Sequence, residues 1–564
     1  MAIINEAQYK IRRGFVILLS LWFGNKKPPA KALMDQPLAE LQRLEKDGII
    51  VKGRKYRLVV LIATTDTVAH PIPWNCGQFN GKFGCNFCLM EGIRVPKGKG
   101  NTRVYPEPME GLPVAEVRTL EQHKRDMKLA IATEQMVNGI KGDTPFSILT
   151  YLDYVKACVP EYMHGDCLGV AKQFLKLYFT GKKSQGLWYI GTKIPVVNAR
   201  LMNIKPPYEI TRSAGAVDDL PHWKASMFRS FFLYYFVVLE DLLPSQYFEH
   251  FCLFSYGLNV LLQEKVSIED VKKCDVLFKK FVKDTETLYG VEQIGINVHF
   301  LTHLTQCVLD LGCLWSYSTF IPEWLNDELL GMKHGSPAIP EQMANNYLLK
   351  MAVRDKVIGL EKDGQVFPPD VREFLHALHL PKSSNELNSS IGDANIKFLG
   401  APTTKELNLD EEIGLMNYLK LEPEEIDGLA IQAFSRMQMQ STNSIFTTNK
   451  YSLSPKRSNH CALLSNETFF FIESIWLVTN NSSRHPIVVG REMGVDSKKN
   501  YVPAPIGSTT FSYLPGQTIK LIGLGRSLIA VDPSEIVKKC VIATSNEISG
   551  MYVVTALVNS FETD

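Results

Sequence analysis

Four residues of the 564-residue chain have the types and spacing of a zinc site. Cys85 and Cys88 sit in QFNGKFGCNFC, a Cys-x-x-Cys whose two thiolates can reach one ion. Alone this is half a site, and the same spacing serves ordinary core cysteines or a redox pair. His299 and His303, in NVHFLTHL, are four positions apart, so on a helix both rings share one face. Together the two pairs point to a structural Cys2His2 zinc site, although more than two hundred residues separate them, which weakens a reading from the motif alone.

Carboxylates form the second set. Asp66 follows the apolar run RLVVLIATT (57–65), so it stands at the end of a buried strand. A carboxylate there is costly unless it binds a cation or hydrogen-bond donors, and strand ends in open α/β sheets are where sites form. The commoner role of such an Asp is to cap a turn. Glu161, His164 and Asp166 fall within EYMHGD, beside apolar Leu-Gly-Val, and suit a buried polar network and a site equally well. Glu323, in YSTFIPEWLND, is unremarkable on spacing alone, and Asp327 and Glu328 after it suit a solvated helix face. Basic residues gather at Lys52, Arg54, Lys55 and Arg57, and again at Arg94, Lys97, Lys99 and Arg103 among glycines. Such groups suit phosphate contacts, but singly each is more simply a solvated surface charge.

The elements that must position these residues follow from periodicity and breakers. Residues 15–23, FVILLSLWF, read as a fully buried strand. Arg12 and Arg13 before it imitate a signal peptide, but no small-residue cleavage site follows, and nine apolar residues are too few to span a bilayer. Asp35-Gln36-Pro37 then starts a helix with Leu38, Leu41 and Leu44 on one face, ended by Gly48. A second strand, 57–65, leads into Asp66. Residues 70–120 are loop-rich, and 121–360 are mainly helical, with helical spacing over 224–243, 246–264, 267–288 and 291–309. Residues 382–455 are polar and read as a linker. Short apolar runs at 469–478, 486–492, 519–525, 527–532, 538–544 and 551–558 read as a small antiparallel β barrel or sandwich. The expected division is therefore 1–95, 96–290, 291–381, 382–455 and 456–564.

Composition constrains less. The chain is 45% hydrophobic and 21% charged, an ordinary globular balance with length for two to four domains. A net charge of +2 neither supports nor excludes nucleic acid, because local patches matter more than the sum. Eleven scattered cysteines, an odd number, argue for a reducing compartment rather than a secreted disulfide scaffold. No segment reaches transmembrane length, so no membrane is expected.

Several stretches carry a resemblance: FVILLSLWFGNKKPP, TDTVAHPIPWNCGQFNGKFGCNFCLMEG, YLDYVKACVPEYMHGDCLGV, NVHFLTHLTQCVLDLGCLWSYSTFIPEWLN, and the closing KKCVI with MYVVTALVNSFETD. In this order they resemble CACTA-type (En/Spm-like) DNA transposase-derived proteins over most of the chain. The resemblance implies an α/β + α + β architecture: an RNase H-like core with a DDE site, a large helical insertion, and the C-terminal β domain. It matches Asp66 to the second catalytic Asp and Glu323 to the catalytic Glu. It matches Cys85, Cys88, His299 and His303 to the zinc ligands, with Glu161, His164 and Asp166 as accessory residues of a YMH-like motif. It implies two Mg²⁺ ions about 3.5–4 Å apart that clamp the attacking and leaving oxygens, DNA as partner, and the nucleus as location; self-association is expected from the apolar strand edges that absent strands would leave unpaired. No Asp precedes Asp35. The core is therefore expected to be incomplete, lacking two strands and the first catalytic Asp, and strand cleavage is expected to be feeble. Mg²⁺ is accordingly expected not to be productively bound, and the alternative is a domesticated, zinc-stabilised DNA-binding or protein-interaction protein.

Overall fold

The computed structural model describes residues 2–3, 16–107, 115–180, 186–365, 367–368, 370–371, 374–375, 396–439, 444–480, 483–500, 506–509, 520–544 and 551–559. The chain is a mixed α/β protein divided into two compact units: residues 1–175 with 265–382, and residues 176–264 with 383–563. All the ligand-type residues singled out above belong to the first unit.

The first unit is helical. Helix α1 (Ala30–Lys46) buries Leu38, with Met34 and Leu41 packed beside it, against Trp74, Phe146, Leu149 and Leu152. It starts at Ala30, directly after Pro28-Pro29, so Pro37 lies inside it instead of in its first turn. Gly48 follows the helix at φ +70°, where a Cβ would lie 2.3 Å from the Tyr56 carbonyl oxygen. The chain then doubles back as a hairpin, Ile49–Val51 with Arg54–Tyr56, turned by Lys52 and Gly53 at positive φ. A second hairpin pairs Ile93–Lys97 with Gly100–Val104. Helix α2 (Leu120–Thr133) is capped by Thr119 Oγ1, which accepts from Gln122 N. Helices α3 (Ile268–Tyr289) and α4 (Ile296–Leu311) are linked by a bond from Thr305 Oγ1 to Asp275. Helices α5 (Phe320–Gly331) and α6 (Ile339–Lys362) pack through Ile321, Leu325, Leu329, Met343 and Tyr347.

Both expected N-terminal strands change form. Within 15–23 only Val16–Ile17 joins a ladder, with Ala2–Ile3. Val16 is buried on α5 and α6, while Trp22 and Phe23 are exposed. Residues 57–65 alternate exposed Val59 and Leu61 with half-buried Leu58 and Val60, yet they belong to no strand ladder. Their backbone bonds instead join Leu58 N to Leu44 O and Ala63 N to Ala157 O. The alternation correctly indicates an extended chain with one inward face, but it carries no information about a partner strand.

The second unit is sheet-rich. Its ladder runs Ile529–Val531, Ser483–Asn500, Lys520–Leu524, Met551–Ala556, Ile536–Thr544, Cys461–Leu464, Phe469–Asn480, Ala430–Phe434 and Thr403–Thr404, with Phe469–Asn480 also paired to Ser483–Asn500. Ile529–Val531 and Thr403–Thr404 are its two ends, and the pairing of Phe469–Asn480 with Ser483–Asn500 joins the six strands from one to the other of these back on themselves. A smaller sheet of Ile396–Leu399, Arg436–Met439 and Ser444–Thr447 shares a core with it through Ile396, Met437, Met439, Phe446, Phe470 and Val488. The expected linker is thus folded from residue 396 onward, whereas 382–395 and 440–443 lie outside the described residues. Strand Arg436–Met439 explains the difference. It buries every second residue, so its outward polar half makes the sequence look like solvent-loving linker. The run 224–243 is helical only in pieces, an α turn (Ala225–Ser230), a π turn (Phe231–Tyr235) and a 3-10 turn (Phe236–Leu239). No helix among the described residues is long and apolar enough to cross a membrane.

Candidate metal centre and the neighbouring carboxylates

The Cys-x-x-Cys loop and helix α4 meet. Cys85 Sγ lies 3.5 Å from His303 Nε2, Cys88 Sγ lies 3.4 Å from His299 Nε2, and the two Nε2 atoms are 3.2 Å apart. All four ligand atoms fall within 4.8 Å of one another. Zinc bonds of about 2.3 Å to sulfur and about 2.0–2.1 Å to nitrogen give tetrahedral edges of about 3.5 Å (S–N) and about 3.3 Å (N–N). The measured distances match those edges. Cys85, Cys88 and His299 are buried, and His303 is half-buried. The cluster can therefore hold a metal ion, and its donor set and dimensions fit zinc.

The local folding explains the fit. One helical turn separates His299 from His303, which sets both rings on the same face of α4. Phe87 N donates to Cys85 Sγ at 3.4 Å, and the Phe87 ring stacks on His303 at 5.3 Å between centroids. Gly84 is required, because a Cβ there would lie 2.3 Å from both the Phe79 carbonyl oxygen and the Tyr105 hydroxyl. Hydrogen bonds from Cys85 and from the two imidazoles hold the Cys88 thiol down at about 2, while burial pushes the Cys85 thiol well up. Burial lowers His303, keeping it a neutral ligand.

A cleft of about 470 Å³ of empty space, partly open to solvent, lies beside the cluster. Thr65, Thr67, His70, Asn86, Glu161 and His164 contribute to its walls. Glu161 is buried and nearly saturated. Its Oε1 accepts from Met163 N (2.8 Å) and Thr319 N (3.1 Å), and its Oε2 accepts from His164 N (2.9 Å) and bonds His164 Nδ1 (2.9 Å). It thereby ties the start of a π-helical stretch, Met163–Ala171, to the start of α5. Burial opposes charge on His164, but the Glu161 hydrogen bond and the carboxylates of Glu161, Asp66 and Glu323 outweigh it and raise its pKa. The charges of Asp66 and Glu323 are thus close enough to act on His164. Thr64 Oγ1 bonds Tyr317 O at 3.2 Å, which fixes the Asp66 segment to the lead-in of α5. Asp66 itself caps a turn, its Oδ1 accepting from Ala69 N at 2.5 Å. Glu323 is exposed in the first turn of α5. Asp166 is buried in the core, with Oδ2 unpaired, and burial holds its carboxyl well above the usual range.

The basic residues divide. Lys52, Arg54 and Lys55 are exposed at the first hairpin's turn, as are Arg94 and Lys99 on the second. Lys97 Nζ donates to Glu292 O (3.0 Å), and Arg103 Nη1 donates to Gly92 O (2.5 Å), so these two serve the fold. Sequence reasoning missed Arg118, which holds the Cys85–Cys88 loop from behind, and Thr319, which bonds both Glu161 and His164. Ser318-Thr319 ahead of an apolar helix is a legible cap signal. Nothing around Arg118 marks it. The chain matches no family model, no curated protein and no solved structure.

Proposed function

We propose that the chain is a transposase-derived protein of the DDE class, a zinc-braced DNA-binding core that retains little strand-cutting capacity. The observation that carries this reading is the meeting of Cys85 and Cys88 with His299 and His303, in the same compact unit as Asp66, His164 and Glu323. A bound zinc ion supplies a cross-link between the loop after Asp66 and helix α4, which leads on to Glu323. The rest is done by the chain itself. Glu161 fixes His164 and the start of α5, and the exposed lysines and arginines of the two hairpins offer charge to a phosphate backbone. On this reading the first unit is an RNase H-like core with helical additions, the second carries a sandwich-like β domain, and the protein acts in the nucleus.

Cutting is weak for a chemical reason. Divalent cations at such a site clamp the attacking and leaving oxygens of a phosphodiester and need converging carboxylates. Among the described residues, Glu161 is consumed by backbone donors, leaving Asp66 and Glu323. The test is an assay of supercoiled and linear DNA with Mg²⁺ or Mn²⁺, alongside a binding titration. Binding without nicking is expected. Robust nicking that Glu323→Gln abolishes would overturn the reading of a feeble site, and absence of DNA binding at low salt would overturn the DNA-binding role.

A further inference from the structure

We infer that Arg118 is the positioning residue of the Cys/His centre: its guanidinium fork holds the Cys85–Cys88 loop in the geometry that the metal needs. The inference rests on the zinc reading above. Arg118 is 6% exposed, and a guanidinium is buried without penalty only where its N–H groups are met. Here its Nε donates to both Cys85 O and Cys88 O, each at 3.1 Å. Those two carbonyls belong to the two cysteine ligands, so a single N–H closes the loop and fixes the relative placement of the residues that carry the thiols. Nη2 donates to Asn138 O at 2.7 Å. Asn138 is itself held in a left-handed turn, φ 49°, with its amide on the Asp126 carboxylate at 3.2 and 3.3 Å. The main chain completes the clamp, with Arg118 N donating to Phe87 O (2.8 Å) and Leu89 N to Glu116 O (2.8 Å).

The chemistry favours arginine in particular. When the site is loaded, two thiolates bring two negative charges into a buried pocket, and the guanidinium is a permanent positive charge behind them. Its planar fork also reaches the Cys85–Cys88 carbonyls and Asn138 at once. A lysine ammonium keeps the charge but lacks that fixed fork. The cysteine half is thus preformed by Arg118, and α4 brings a histidine half that needs no such help, because one helical turn already sets its spacing.

The deciding experiment measures zinc affinity of the full chain by competition with a chromogenic chelator, for wild type, Arg118→Lys and Arg118→Met. Cobalt-loaded samples are read for the thiolate charge-transfer band and the tetrahedral d–d envelope. Wild type is expected to bind one ion, Arg118→Lys about 10-fold more weakly, and Arg118→Met about 100-fold more weakly, within the range for outer-shell partners. An altered cobalt envelope in Arg118→Lys, with an unchanged circular dichroism spectrum, separates positioning from a general loss of fold. Wild-type affinity and an unchanged cobalt spectrum in Arg118→Lys would overturn the inference, even if the methionine variant fails to fold. Wild type that takes up no zinc removes the zinc reading itself and this inference with it.

Discussion

The loop that carries the two cysteines and the Glu161–His164 pair line the same cleft, through Gly84, Asn86 and Phe87 on one side and Glu161 and His164 on the other, yet the fold treats the ligand atoms of the Cys/His cluster and of the carboxylates in opposite ways. In the first, atoms from two distant segments converge within 4.8 Å, and both Nε2 atoms face sulfur. In the second, both oxygens of Glu161 and one of Asp66 are already engaged. Glu161 accepts three backbone N–H groups, and Asp66 accepts the Ala69 N–H. The first arrangement directs its ligand atoms at one common centre, which is organisation for an ion. The second directs carboxylates at backbone, which is organisation for holding two helix starts together. Ligand-type residues gathered in one place therefore do not make a metal site until their lone pairs are free.

The sharpest break of this comparison removes a ligand from the first cluster. Cys88→Ser or His303→Ala should cut zinc affinity by more than about 100-fold, exceeding the loss of an outer-shell partner. Wild type should carry about one zinc per chain by metal analysis, and each variant essentially none. Cys461→Ser, in the other unit, is the control and should leave the zinc content unchanged. Chelator should lower the unfolding midpoint of wild type but not of the two ligand variants. A wild-type chain with no zinc would dissolve the contrast between the clusters altogether.

Glu161→Gln probes the other side with a smaller effect. An amide keeps one acceptor oxygen and turns its NH₂ toward donors, so the cost should be about 2–3 kcal/mol in urea unfolding, with zinc content intact. The same variant tests the electrostatics of His164. Its folded pKa is raised, so its contribution to stability is full below about 6.5, the ordinary histidine value, and is lost as pH rises through the raised value. Glu161→Gln and His164→Gln should both flatten the stability profile just above pH 6.5. A profile unchanged in both variants would show that the imidazole gains nothing from its carboxylate neighbours.

Legibility in the sequence followed the range of the interactions. The Cys/His cluster could be read because each half obeys a local rule, two cysteines in a tight loop and two histidines one helical turn apart. The C-terminal strands were legible for the same reason, since the runs 469–478 and 538–544 carry unbroken apolar stretches such as Phe469–Ile472 and Cys540–Ala543 and match strands Phe469–Asn480 and Ile536–Thr544. Strand Arg436–Met439 was lost because only its alternate residues are apolar. The segment 57–65 was read as a paired strand because alternation reports one covered face, whatever covers it. Glu161 was seen as ligand-type, but its partners include Thr319, 158 positions away, and no local pattern encodes such a bond. Arg118 was invisible for a related reason: its partners are carbonyl oxygens, which every residue has.

The smallest effects concern the basic hairpins, where exposed cations and cations bonded to backbone carbonyls stand side by side. Lys52, Arg54 and Lys55 are exposed, whereas Lys97 and Arg103 donate to backbone carbonyls. If duplex DNA lies along the first hairpin, each neutralised phosphate contributes about 0.9 to the slope of log affinity against log salt. Lys52→Ala, Arg54→Ala and Lys55→Ala should then each reduce that slope by up to about 0.9, with little change in unfolding midpoint. Lys97→Ala and Arg103→Ala should do the reverse, lowering stability by about 1 kcal/mol and leaving the slope alone. Fluorescence anisotropy across a salt series reads the first pair of outcomes, and thermal melting the second. A slope untouched by the combined Lys52, Arg54 and Lys55 substitution would move the DNA path off this hairpin, because a phosphate contact cannot be lost without returning its counterion.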